Sequence, residues 1–142
     1  MIVKLAIAFS LLALTVLIHA VGLALVMRWR PLSGNLEGAR FGQQIWLLIR
    51  LAAAAIAIHC VEIAVWALFY WWQKCLPDFE ASLYFSIVTY TTVGYGDLVL
   101  PQGWRVLAGI EALTGILMCA WTTGSFFAFV NRFYKPRRDT GI

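Results

Sequence analysis

Charge is scarce in this chain. Asp, Glu, Lys and Arg make up 13% of its 142 residues, against 62% hydrophobic residues, and the mean hydropathy is +0.80. A soluble domain of this length cannot bury so much apolar surface, because small globules leave much of their area wet. An integral membrane protein is the direct reading. Cysteine is also sparse. Cys60, Cys75 and Cys119 have no metal-ligand spacing and two of them lie in apolar runs, so neither a disulfide framework nor a redox pair is expected. No serine, histidine and acid fall at a nucleophile-elbow spacing, so nothing points to an enzyme. There is no internal repeat and no low-complexity segment. The net charge of +4 is small and gathers in loops and tail, where it reports topology and not a nucleic-acid surface.

What is present is long apolar sequence. Three segments reach the roughly 20 residues that a bilayer crossing needs. They run from Leu5 to Met27, from about Leu51 to Trp72 and from about Val106 to Val130. The first is too long for a cleaved signal and its basic residues follow it, so it reads as a retained helix. It has no arginine between Leu5 and Met27, which excludes a voltage-sensing arginine ladder. Arg28, Arg30, Arg40 and Arg50 outweigh Glu37 in the first loop. Arg132, Lys135, Arg137 and Arg138 outweigh Asp139 in the tail. Both segments are therefore expected on the cytoplasmic side, with the N-terminus outside. Pro31, Ser33 and Gly34 break the chain after the first helix. Phe41 to Ile49 reads as an interfacial lead-in to the second, and Trp71 and Trp72 mark its outer end.

Between the second and third spans, Pro77 and Asp78 open a short segment, Phe79 to Thr91. It cannot span, but it suits a re-entrant helix whose ends are buried by protein. Asp78 is a candidate N-cap and Glu80 complements the first-turn dipole. The C-terminal end of such a helix favours a cation. There the chain reads Thr92-Val93-Gly94-Tyr95-Gly96-Asp97. Gly94 and Gly96, two apart, can take left-handed conformations without a Cβ penalty and so turn successive carbonyls toward one axis. A phosphate-binding Gly-x-Gly fingerprint would need a further glycine where Val99 stands.

This loop resembles the selectivity filter of potassium channels, whose carbonyl oxygens replace the hydration shell of K⁺. The resemblance covers roughly residues 45 to 134 and is most specific from Tyr84 to Asp97. It implies an all-α membrane fold with three transmembrane helices, a re-entrant pore helix and a filter loop. Residues 1–27 are then an additional helix, 28–44 a cytoplasmic loop, 45–134 the pore module and 135–142 a cytoplasmic tail. Such channels use four filter loops and this chain has one, so a homotetramer in the lipid bilayer is implied. Carbonyls of Thr92, Val93, Gly94 and Tyr95 would hold K⁺, completed by Gly96, with no cofactor beyond the permeant ion. Asp97 would stand at the outer mouth. Tyr84 would brace it where the family usually has Trp, and Val88 stands where some bacterial channels carry Glu. Gly115 matches the inner-helix hinge. Ile116, Cys119, Ala120 and Thr123 would face the cavity, and Phe127 would narrow its inner end. The implied function is passive, K⁺-selective conduction across a membrane, with a bacterial cell membrane as the expected location. A weakly selective monovalent cation channel and a non-conducting regulatory subunit are the alternatives.

Ionisable residues inside spans are costly and usually face protein or water. His59 and Glu62 lie three apart, on one helix face, and Glu111 lies at similar depth in the third span. One buried network of His59, Glu62 and Glu111 is expected. It either locks the helices together or senses pH through His59. A metal site would need more ligands than these. His19 is expected to satisfy an interhelical bond.

Overall fold

The computed structural model describes residues 2–28 and 41–134. The basic loop around Pro31 and the tail from Lys135 onward lie outside the described residues. Four α-helices follow in order: α1 (Ile2–Arg28), α2 (Phe41–Trp72), α3 (Phe79–Tyr90) and α4 (Arg105–Tyr134), with a 3-10 turn (Gln102–Trp104) leading into α4. No strand occurs among the described residues. Among the described residues, three helices are long and apolar enough to cross a membrane: α1, α2 and the Arg105–Asn131 part of α4. The 12-residue α3 is too short to cross.

The second span begins earlier than its apolar run: Phe41 to Ile49, read as an interfacial lead-in, is helical and continuous with it in one 32-residue helix. No Pro or Gly between Gln43 and Trp72 interrupts it. At about 1.5 Å per residue it is about 48 Å long, which exceeds a hydrocarbon core of about 30 Å.

The first helix packs on both α2 and α4. Its fully buried residues are Ala8, Thr15 and His19, a stripe spaced seven and four apart that marks one helix face. Trp66 Nε1 of α2 donates to Thr15 Oγ1 at 3.1 Å. Lys4 Nζ donates to the Gly103 carbonyl at 2.8 Å and stands 4.5 Å above the Trp104 ring. The start of α1 therefore lies at the same end of the bundle as the turn into α4. Phe9, Leu17 and Leu25 on its other faces are exposed, as suits lipid.

Aromatic burial sets the position of α3. Trp66, Tyr70, Phe85, Leu100 and Leu107 belong to one core, with the Tyr70 ring edge-on to Phe85 at 5.4 Å between centroids. Asp78 caps the helix, Oδ1 accepting from the Ala81 amide at 2.7 Å. At the other end, Thr91 N–H and Thr91 Oγ1 both donate to the Ile87 carbonyl. Helix α4 runs unbroken through Gly115. There its backbone approaches α3 so closely that a Cβ would collide with the Tyr90 carbonyl oxygen.

Candidate functional site

The loop after α3 alternates in handedness. Thr92 has φ +62°, Gly94 +51° and Gly96 +78°, whereas Val93 and Tyr95 keep negative φ. Alternation of this kind turns successive peptide groups to one side of the chain, which a line of carbonyl ligands requires. Gly94 and Gly96 take these angles freely. Thr92 does not, because a β-branched residue at positive φ is a strained outlier. Two backbone bonds hold it: Thr92 N–H to the Thr89 carbonyl at 2.9 Å, and Gly94 N–H to the Val88 carbonyl at 3.0 Å. Sequence reasoning assigned left-handed positions to the two glycines only. Residue preference gives no signal for Thr92.

Residues Thr91 to Asp97 are all exposed on the single chain. Nothing lies within 4 Å of a Cβ added at Gly94 or Gly96. The Val93 and Tyr95 side chains are 50% and 72% exposed, so the loop is supported by its own backbone and not by surrounding core. Ile116, Cys119, Ala120, Thr123 and Phe127 are likewise exposed, on one flank of α4 at helical spacing.

At the end of the loop, Tyr84 Oη donates to Asp97 Oδ2 at 2.8 Å. This bond holds the Asp97 carboxyl below the usual carboxylate range and pushes the Tyr84 phenol up. A depressed carboxylate keeps its favourable interaction above its ordinary value and loses it as pH falls through the lowered one. Tyr84→Phe removes the donor and leaves the ring. The acid pH at which the Asp97 charge is lost is then expected to rise toward the ordinary value of about 3.9. Carboxyl NMR shifts of Asp97 across acid pH check this; an unmoved titration would show that the bond does not hold the charge.

The buried polar groups fall into two sets where one was expected. Glu62 meets His19 Nδ1 at 2.9 Å and His59 Nδ1 at 3.0 Å, and accepts from Tyr90 Oη. Thr122 Oγ1 lies 3.0 Å from His59 Nε2 and 3.3 Å from His19 Nε2. The expectation that Glu111 shares the hydrogen bonds of this network is corrected: Glu111 Oε2 accepts from Tyr70 Oη at 2.8 Å instead. The large core ring of Tyr70 takes up the carboxylate on the core side. Glu111 also interacts with the Ser86 side chain, although neither Glu111 Oε1 nor Ser86 Oγ, both buried, makes a hydrogen bond of ordinary length. Depth along a helix was legible in sequence, but rotation about its axis was not. His19, Tyr90 and Thr122 join the first set, and of these only His19 carried a signal, as the one titratable residue inside the first span. Cys60, Cys75 and Cys119 are free thiols.

A family model described as "Ion channel" matches residues 45–132. The chain is 30% identical over 98 residues to the voltage-gated potassium channel regulatory subunit KCNG2 of Homo sapiens, covering 67% of this chain and 20% of that protein. The Rattus norvegicus protein of the same name matches equally, with 19% of its length covered. The potassium voltage-gated channel protein shk-1 of Caenorhabditis elegans is 43% identical over 56 residues, 39% of this chain and 10% of that protein. The chain thus spans a fifth or less of the length of these relatives. No solved structure matches it.

Proposed function

The chain belongs to the ion channel family, and we propose that it is a potassium channel passing K⁺ passively through a filter built from Thr92, Val93, Gly94, Tyr95 and Gly96. The observation that carries this reading is the alternation of backbone handedness at Thr92, Gly94 and Gly96. Carbonyls of Thr92 to Tyr95 are the proposed K⁺ ligands, and the C-terminal dipole of α3 favours the cation behind them. Asp97 raises local cation concentration at the mouth. A single loop cannot encircle an ion, so the proposal includes a homotetramer closed by cyclic symmetry. The exposed loop and the exposed flank of α4 are the surfaces that such closure would cover.

The name of the KCNG2 relatives favours a second reading, a regulatory subunit that assembles with other channel chains. Purified chain alone, reconstituted in liposomes, separates the two. K⁺ flux that exceeds Na⁺ flux supports the homomeric channel. Equal flux of both ions indicates a weakly selective cation channel. No flux from an assembled oligomer of the pure chain indicates the regulatory role.

The proposed orientation has the N-terminus outside and the tail in the cytoplasm of a bacterial cell, from the basic flanks. In intact cells, an Asp78→Cys variant is expected to react with an impermeant thiol reagent. A Lys135→Cys variant is expected to react only after lysis. The reverse pattern overturns the orientation.

A further inference from the structure

Glu62, His19, Thr122 and His59 form a closed ring of polar contacts. Glu62 Oε1 meets His19 Nδ1 at 2.9 Å, and His19 Nε2 meets Thr122 Oγ1 at 3.3 Å. Thr122 Oγ1 meets His59 Nε2 at 3.0 Å, and His59 Nδ1 returns to Glu62 Oε2 at 3.0 Å. All four ring nitrogens of the chain's two histidines are engaged. Each of the four contacts needs one hydrogen. Two neutral imidazoles supply one N–H each, Thr122 supplies one O–H, and an ionised carboxylate supplies none. Three hydrogens therefore serve four contacts. Tyr90 does not repair the deficit. Its hydroxyl brings one hydrogen but adds its own contact to Glu62 Oε2. It also lies 3.1 Å from His59 Nδ1, but its single hydrogen cannot serve both. One hydrogen short, two lone pairs would face each other at hydrogen-bond distance inside the membrane, where such a defect is costly.

We infer that this ring is a binding site for one proton, which completes it and leaves it electrically neutral. In one consistent arrangement the proton sits on Glu62 Oε1 and is donated to His19 Nδ1. His19 Nε2–H then donates to Thr122 Oγ1, and the Thr122 hydroxyl donates to His59 Nε2. His59 Nδ1–H and the Tyr90 hydroxyl donate to Glu62 Oε2. Placing the proton on an imidazole beside an ionised Glu62 leaves the total unchanged, so the ring titrates as a unit. Its members come from α1, α2 and α4, and Tyr90 of α3 precedes Thr92 by two residues. The proton thus ties the first helix to the elements that carry the filter loop. It is held at low pH, and its loss as pH rises breaks one link. Two further titratable groups lie within electrostatic range, both on α4: Cys119, which feels Glu62, and Glu111, which with Cys119 acts on Tyr90 while hydrogen-bonded to Tyr70. His19, His59 and Glu62 also lie within 4.8 Å of one another, near enough for a divalent metal. Direct pairing of every ring atom at hydrogen-bond length favours the proton. The inference does not rest on conduction.

The test uses the full chain in lipid nanodiscs with ¹⁵N-labelled histidine, so that only two imidazoles report. Across pH, both are expected to change in one shared step, and the amides of α1 to exchange faster above it. Glu62→Gln supplies the missing hydrogen permanently through its amide. The step is then lost and α1 stays protected at every pH. Thr122→Val removes both Nε2 contacts and leaves two N–H groups for the two Glu62 pairs, so no hydrogen is missing and the shared step moves to lower pH. Two independent steps in the native protein overturn the assignment. So does the absence of any step, or a shared step that survives Glu62→Gln. Zn²⁺ retained in stoichiometric amount by the native chain and lost from Glu62→Gln overturns it in favour of a metal site.

Discussion

Gly94→Ala is expected to abolish K⁺ flux in liposomes while leaving the oligomer intact. Gly94 holds φ +51°, and no atom lies within 4 Å of where its Cβ would be. The substitution therefore meets no collision in the chain, and its effect is conformational. An L-residue in that region costs about 1–2 kcal/mol, and in a closed ring every subunit carries the same strain. The alanine is relieved by returning to negative φ, which flips the neighbouring peptide groups and turns carbonyls off the axis. Flux is measured by K⁺ release, and assembly by native mass analysis of the same sample. Normal selective flux from the variant would remove Gly94 from the filter and overturn the filter assignment.

The second large effect is expected at Gly115. A Cβ there would overlap the Tyr90 carbonyl oxygen and approach its carbonyl carbon to 2.9 Å. Backbone at the end of a capped helix yields less readily than a side chain. Gly115→Ala is therefore expected to cost about 1–3 kcal/mol, the range for overpacking, and to lower the thermal midpoint of the purified protein by several degrees. Flux is expected to fall as well, because Tyr90 stands two residues before Thr92. Gly42→Ala, where a Cβ meets nothing within 4 Å, is the control and is expected to leave the midpoint unchanged or raise it. An unchanged midpoint in Gly115→Ala would show that α4 can move away from α3 without penalty.

The architecture was legible because its signals are local. Apolar runs of membrane length mark α1, α2 and α4, and Asp78 with Glu80 marks the start of α3. The glycine pair in the loop carried the site, since few other uses require glycines two apart in that setting. The part that escaped was rotational. His59 and Glu62 declare a shared face by spacing, but nothing in the sequence states that the face turns toward His19 and Thr122. Glu111 sits at a comparable depth yet points to Tyr70. Thr92 escaped for another reason. Its positive φ is imposed by bonds from Thr92 and Gly94 to the end of α3, against the preference of its own side chain.

Helix α1 lies on both α2 and α4, and wherever it lies, acyl chains do not. On that flank α4 borders a polypeptide fixed by Lys4 at one end and by His19 further along. A change in bilayer thickness or lateral pressure therefore reaches the inner helix there through α1, a stiff neighbour, and not through fluid lipid.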